Sequence, residues 1–173
     1  MKESKFVCFI LFSFFYSSLA FHSTPSGKLA RQIKMSRLAA TTVEKTEAEW
    51  REVLTPDQFY VLREEGTEAP NTSSLLNVKE PGTFTCAGCG TPLFTTEAKY
   101  ESGTGWPSFY SPIDKSSVAL STDFKLILPR TECSCSVCDG HLGHVFNDGP
   151  EPTGQRFCMN SASLKIEPFS DDE

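Results

Sequence analysis

Hydrophobic positions along this chain follow three successive patterns. The first is an apolar run of 11 residues, Phe6 to Tyr16, interrupted by Ser13 alone and set behind the basic Lys2 and Lys5. A bilayer span takes about 20 apolar residues, so the run suits the centre of a signal peptide better than a membrane helix. Ser18, Leu19 and Ala20 supply a small-x-small cleavage site for it. The second pattern has helical spacing. Thr46 stands three residues before Glu49, and Thr55 three before Gln58, the reciprocal arrangement that caps a helix start, with Pro56 at the first helical position of the second. Trp50, Val53 and Leu54 then form one apolar stripe, and Phe59 and Leu62 another, with Gly66 as a stop. Two short helices are predicted, each burying one face.

The third pattern starts near Pro70. Short runs at Thr83–Thr85, Val118–Leu120, Phe124–Leu128 and Ser163–Ile166 are punctuated by Gly, Pro, Asn and Asp. This predicts a small antiparallel β-domain over residues 43–168 that includes the two helices, followed by a solvated tail over 169–173. No repeat of fixed period interrupts it.

Charge separates the N-terminus from this domain. No acidic residue lies between Glu3 and Glu44, whereas Lys28, Arg31, Lys34 and Arg37 are basic and Ser and Thr are frequent. Residues 21–42 therefore have the composition of an organelle transit peptide, placed behind a signal peptide over residues 1–20. The tandem resembles the bipartite presequence of algae with secondary plastids, whose transit part opens with Phe, here Phe21. A plastid stroma address is implied, with no stable membrane association after processing; secretion and an uncleaved anchor are the alternatives. From Val43 onward 10 Lys and Arg face 21 Asp and Glu, a net charge of −11 that would repel nucleic acid.

Cysteine spacing brings in the chemistry. Cys86 with Cys89 and Cys135 with Cys138 form two C-x-x-C knuckles, each able to present two thiolates on one tight turn. Gly88 and Gly90 beside the first, and Asp139 and Gly140 after the second, give the turns room. Together the four sulfurs predict one closed, structural zinc site; a redox pair or disulfides are the competing readings. Cys133 is expected to pack as a small apolar residue.

A third group of residues follows the second knuckle: His141, Leu142, Gly143, His144, Val145 and Phe146, then Asp148, then Arg156, Phe157, Cys158, Met159 and Asn160. If Arg156 to Ser161 is a strand, Arg156, Cys158 and Asn160 share one face. A thiol with an ordinary pKa near ~8.5 becomes nucleophilic where positive charge favours the thiolate, as Arg156 or a protonated His would do. The plain alternative is a buried structural cysteine. Upstream, Ser102 to Phe109 is a glycine-flanked loop whose Trp106 and Phe109 belong either to the core or to the wall of an apolar pocket.

Both knuckles, the Ser102–Phe109 loop, the His141–Phe146 segment and the Arg156–Ser161 segment occur together and in order over Glu44 to Pro168. In this the chain resembles the B-type methionine sulfoxide reductases. The resemblance implies a mainly β fold of two antiparallel sheets with short N-terminal helices and a structural four-cysteine zinc site. It also implies reduction of methionine-R-sulfoxide in oxidised proteins, and of the free amino acid, by attack of Cys158 to give a sulfenic acid. His144 is then the acid toward the sulfoxide oxygen. His141, Asp148, Arg156 and Asn160 orient the polar side, and Trp106 and Phe109 receive the substrate. Thr104 stands where many relatives carry a resolving cysteine. The implied reductant is therefore glutathione with glutaredoxin, or thioredoxin acting on the sulfenic acid, in preference to Cys133. A zinc-ribbon interaction module with a structural Cys158, or a general thiol-disulfide oxidoreductase, are the readings from other classes.

Overall fold

A computed structural model describes residues 42–124 and 128–169. The signal-peptide and transit-peptide segments, apart from Thr42, and the tail beyond Phe169 lie outside the described residues.

Helices α1 (Glu47–Val53) and α2 (Pro56–Leu62) form as their caps predict. Thr46 and Thr55 each accept from the backbone three residues on, and Glu49 and Gln58 reach back to the cap amides. Trp50, Leu54, Phe59, Val61 and Leu62 are buried. Val53, expected on the buried stripe, is instead 56 % exposed: a helix of seven residues offers the body a narrow face, and only Trp50 and its neighbour one turn on reach it. The stop after α2 also differs in detail. Glu65 takes the left-handed conformation (φ 55°), and the Gly66 amide donates to the Tyr60 carbonyl at 2.9 Å. A Cβ at Gly66 would meet the Tyr60 ring, which is half exposed and would have to swing aside.

Among the described residues nine strands follow: β1 (Gly82–Cys86), β2 (Pro92–Thr95), β3 (Lys99–Tyr100), β4 (Ser108–Phe109), β5 (Val118–Asp123), β6 (Arg130–Cys135), β7 (His141–Phe146), β8 (Arg156–Met159) and β9 (Leu164–Pro168). They form a three-stranded sheet, β2-β1-β9, and a six-stranded sheet, β3-β4-β8-β7-β6-β5, with every pairing antiparallel. The mainly β architecture of two antiparallel sheets with two short helices is thus as expected. The centre of the predicted strand Phe124–Leu128, residues 125–127, lies outside the described residues; its ends Phe124 and Leu128 are 75 % and 76 % exposed and belong to neither β5 nor β6. Inner residues of both sheets meet in one apolar cluster, in which Phe109 stacks on Phe94 at 4.4 Å and meets Phe84 edge-on at 5.0 Å.

Candidate active site and metal centre

The two knuckles are built alike. Cys86 ends β1 and Cys135 ends β6; in each, the amide four residues on (Gly90, Asp139) donates to the cysteine carbonyl, and the cysteine amide donates to the carbonyl five residues on (Thr91, Gly140). Gly90 and Asp139 both adopt positive φ, 76° and 55°, which turns these loops tightly enough for two sulfurs to converge. One knuckle belongs to each sheet, and their four sulfurs all lie within 4.8 Å of one another, with Cys86 and Cys138, and Cys89 and Cys135, at 3.6 Å. An ion bound tetrahedrally with metal–sulfur bonds of about 2.3 Å needs sulfurs about 3.8 Å apart, whereas a disulfide needs about 2.05 Å. The donor set therefore fits zinc. Helices α1 and α2 roof the centre: Arg63 donates to the Cys138 carbonyl at 2.9 Å, and Gly140 leaves room for Leu62. Cys133, on the same face of β6 two residues before Cys135, is wholly buried among apolar residues, and burial pushes its thiol up to about 12.

Strand register assembles a second site. Ser108 pairs with Cys158, Cys158 with His144, His144 with Glu132 and Glu132 with Ser121, so one row of side chains crosses five strands on one face. Cys133, Gly143 and Met159 belong to the neighbouring row, which points into the core. Gly143 permits the close approach of β7 to β8, since a Cβ there would overlap the Cys158 carbonyl.

His141 and His144 are three residues apart, which in a regular strand places them on opposite faces. A bulge between Cys133 and Ser134 in the β6–β7 register sets two β7 residues against one of β6, and the imidazoles meet edge-on with centroids 5.3 Å apart. Each imidazole has a carboxylate: His141 Nδ1 lies 2.7 Å from Glu132 Oε1, and His144 Nε2 lies 2.9 Å from Asp123 Oδ2, which also accepts from Arg130 at 2.6 Å. Burial holds His144 below its ordinary pKa despite the Asp123 bond. Burial raises Glu132 too, but the bonds from His141 and Ser121 outweigh it and leave the carboxyl lower than usual. Sequence reasoning missed Asp123, Arg130 and Glu132. Their strand alternation, once β5 and β6 are paired, is the signal that finds them.

Cys158 opens on a cavity of about 120 Å³ lined by Thr67, Trp106, Arg130, His144, Phe146 and Asn160, among others. The indole of Trp106 is fixed by its Nε1–H, which donates to the Glu68 carbonyl at 3.2 Å. Cys158 rests differently from the expectation. Burial raises its thiol above the ordinary range, and this outweighs the opposing effects of Thr104, Arg156 and Ser108. Arg156 has little to spare for it, because its guanidinium grips Asp148 through two bonds of 2.8 and 2.9 Å and lies over the Phe146 ring at 4.4 Å. Arg156 in turn holds the Asp148 carboxyl below its usual range.

One site expectation is refined and one needs correction. Strand β8 stops at Met159, so Asn160 reaches the cavity from the cap of a 3-10 turn over Ser161–Ser163 and not as a strand residue. Its amide accepts from Glu68 N–H and donates to the Leu142 carbonyl, so Asn160 ties a wall of the cavity together. Phe109 alternates with Ser108 and is wholly buried in the aromatic core, away from the residues lining the cavity.

A family model described as the SelR domain matches residues 54–168, which include both knuckles and the row through Cys158. The chain belongs to that family, the B-type methionine sulfoxide reductases. The relative named "Peptide methionine sulfoxide reductase MsrB" from Hahella chejuensis is 53 % identical over 124 residues, 72 % of this chain and 89 % of its own length. The protein of the same name from Methanosarcina mazei is 54 % identical over 127 residues, 73 % of this chain and 91 % of its own. "Peptide methionine sulfoxide reductase B1, chloroplastic" from Oryza sativa subsp. japonica is 54 % identical over 122 residues, 70 % of this chain and 56 % of its own. SelR-domain membership thus rests on the whole β-domain and not on the cysteine motifs alone.

Proposed function

We propose that this SelR-domain enzyme reduces methionine-R-sulfoxide in oxidised proteins, with Cys158 as the attacking group. The observation that carries the reading is the placement of Cys158 directly across from His144, at a cavity walled by Trp106. Trp106 offers its face to the substrate methyl group. His144 passes a proton to the sulfoxide oxygen as sulfur attacks, a role worth roughly 10²-fold to 10⁴-fold in rate. Asp123 holds the other end of that imidazole, and Glu132 with His141 gives the row a second carboxylate–imidazole pair.

The step balances as one oxygen exchanged between two sulfurs. The Cys158 thiol is oxidised by two electrons to a sulfenic acid, the sulfoxide is reduced by two to the thioether, and the thiol proton ends on the transferred oxygen. An external thiol then condenses with the sulfenic acid, releasing water and leaving a mixed disulfide. A second thiol frees Cys158 and departs as the disulfide. Thr104, which cannot be oxidised in this way, is the residue 4.0 Å from Cys158 Sγ. Cys133 points to the core. Glutathione with glutaredoxin, or thioredoxin, therefore supplies the electrons.

Cys86, Cys89, Cys135 and Cys138 would hold the zinc, whose closed coordination makes it a structural tie between the sheets. The chloroplastic names of relatives in Oryza sativa and Arabidopsis thaliana support a plastid address for this chain.

The test is steady-state reduction of dabsyl-methionine-R-sulfoxide with dithiothreitol as reductant. Cys158→Ser should lose all turnover with zinc retained, and Trp106→Ala should raise KM more than it lowers kcat. Full activity in the Cys158 variant refutes the reading.

A further inference from the structure

Three hydroxyls stand between Cys158 and the protein interior. Gly103 and Gly105, both at positive φ (70° and 91°), fold the 102–108 loop back on itself. This brings Ser102 Oγ to 2.8 Å from both Thr104 Oγ1 and Ser108 Oγ. Thr104 Oγ1 is 4.0 Å from Cys158 Sγ at one end, and Ser108, 1 % exposed and paired with Cys158 in the β4–β8 register, donates to the Trp106 carbonyl at 3.2 Å at the other. The loop cannot easily drift, because a Cβ at Gly105 would come within 2.7 Å of Pro70 and the Gly105 carbonyl accepts from the Asn71 amide at 2.8 Å.

We propose that Ser102, Thr104 and Ser108 form a hydroxyl chain that accepts from the Cys158 thiol and reverses direction to donate to its thiolate. This rests on the reading that Cys158 is the attacking group. Donors and acceptors close in both directions. With the thiol present, S–H donates to Thr104, Thr104 to Ser102, Ser102 to Ser108, and Ser108 to the Trp106 carbonyl. With the thiolate, Ser108 donates to Ser102, Ser102 to Thr104, and Thr104 to sulfur. Each hydroxyl keeps its own hydrogen, so the chain transfers no proton; the one lost by sulfur goes to the sulfoxide oxygen.

The chain matters because Cys158 is largely buried and its thiolate lacks water. The Thr104 hydrogen bond is the largest single effect that offsets that burial, with Arg156 and Ser108 also contributing. A hydroxyl at position 104 is thus a positioning group for the nucleophile, and not merely a residue standing where relatives carry a second thiol.

The pH profile of Cys158 alkylation tests this without any sulfoxide. Full-length protein is treated with iodoacetamide between pH 6 and 10, and the tryptic fragment Phe157–Lys165 is quantified by mass spectrometry. Thr104→Val keeps the shape and removes the hydroxyl. It should move the midpoint upward and slow alkylation at pH 7.5 by about fivefold to tenfold, where one pH unit corresponds to tenfold. Thr104→Ser should restore the rate to within about twofold, and Ser102→Ala, which breaks the chain in the middle, should slow it by about twofold to threefold. Zinc content, expected to be unchanged in all three, reports the fold. An unchanged midpoint in Thr104→Val, or a Thr104→Ser protein as slow as it, overturns the proposal. Sulfoxide reduction measured alongside stands or falls separately, so failure of the chain and failure of the proposed activity are distinguishable.

Discussion

Replacing Thr104 with cysteine should give this enzyme the internal second thiol it lacks. Thr104 Oγ1 already lies 4.0 Å from Cys158 Sγ. A disulfide requires about 2.05 Å, so roughly 2 Å must be closed, chiefly by rotation of the two side chains, since Gly105 holds the loop in place. The competition then favours the internal thiol heavily. Well-oriented intramolecular reactions reach effective molarities of about 10⁵ M or more, and even one ten-thousandth of that, about 10 M, exceeds millimolar glutathione by roughly 10⁴-fold. One equivalent of sulfoxide and no reductant should therefore leave the Thr104→Cys protein 2 Da lighter than its thiol form, with Cys158 and the introduced cysteine in one cross-linked fragment after digestion. The parent protein should instead yield a dimedone adduct at Cys158. Steady-state turnover of the variant should depend on thioredoxin more than on glutaredoxin, because its product is an intramolecular disulfide. Dimedone labelling of the variant as complete as that of the parent would refute the geometry from which this is reasoned.

The metal, the β7–β8 contact and His144 each carry a further test. Chelating the metal, or Cys86→Ser, should remove folding free energy on the order of 10 kcal/mol, comparable with a domain's whole stability, and abolish the cooperative thermal transition; an unchanged melting curve after verified zinc loss would exclude the structural role. Gly143→Ala should cost about 2 kcal/mol and lower Tm by roughly 8 °C, because the added Cβ overlaps backbone of β8, and a shift below about 2 °C in calorimetry would contradict the packing. His144 lies below its ordinary 6.5 when folded, so protonation favours the unfolded chain: its contribution is complete above that pH and shrinks as pH falls from there toward the lower folded value. Urea unfolding between pH 7.5 and 5 should show a larger loss for the parent than for His144→Asn, and the reverse order would mean a raised pKa.

Much of this was legible in the sequence where local physics decides. Both capping boxes form, because a hydroxyl and a carboxyl or amide three residues apart satisfy each other whatever lies around them. The knuckles were legible because four cysteines at that spacing have one common solution. Strands β6 and β7 were not, since their residues alternate Arg, Glu and His with Cys, Leu and Val, and such polar positions read as chemistry before they read as a sheet face. Asp123 and Glu132 escaped for the same reason: they lie 21 and 9 residues from the histidines they touch, and only antiparallel register, with a bulge in β7, brings them there. Asn160 does line the cavity beside Cys158, but from the cap of a 3-10 turn, because β8 ends one residue before it.

The raised thiol of Cys158 alters the chemical expectation most. Proximity to Arg156 suggested a thiolate waiting at neutral pH, yet that guanidinium is already bound to Asp148 and desolvation wins at the sulfur. A thiol at rest is compatible with attack if sulfur gives up its proton only as the sulfoxide oxygen gains one, so that no isolated anion is held in a dry cavity. That coupling places the demand on groups that can serve both states of sulfur. Fixed charges cannot do so, because they favour one state always. Hydroxyls that rotate can, and Cys158 faces Thr104 and Ser108 at short range, with Ser102 linking them. A second cysteine at position 104 would trade this adaptability for an internal disulfide, which is why the identity of residue 104 governs both how the nucleophile is prepared and which molecule restores it.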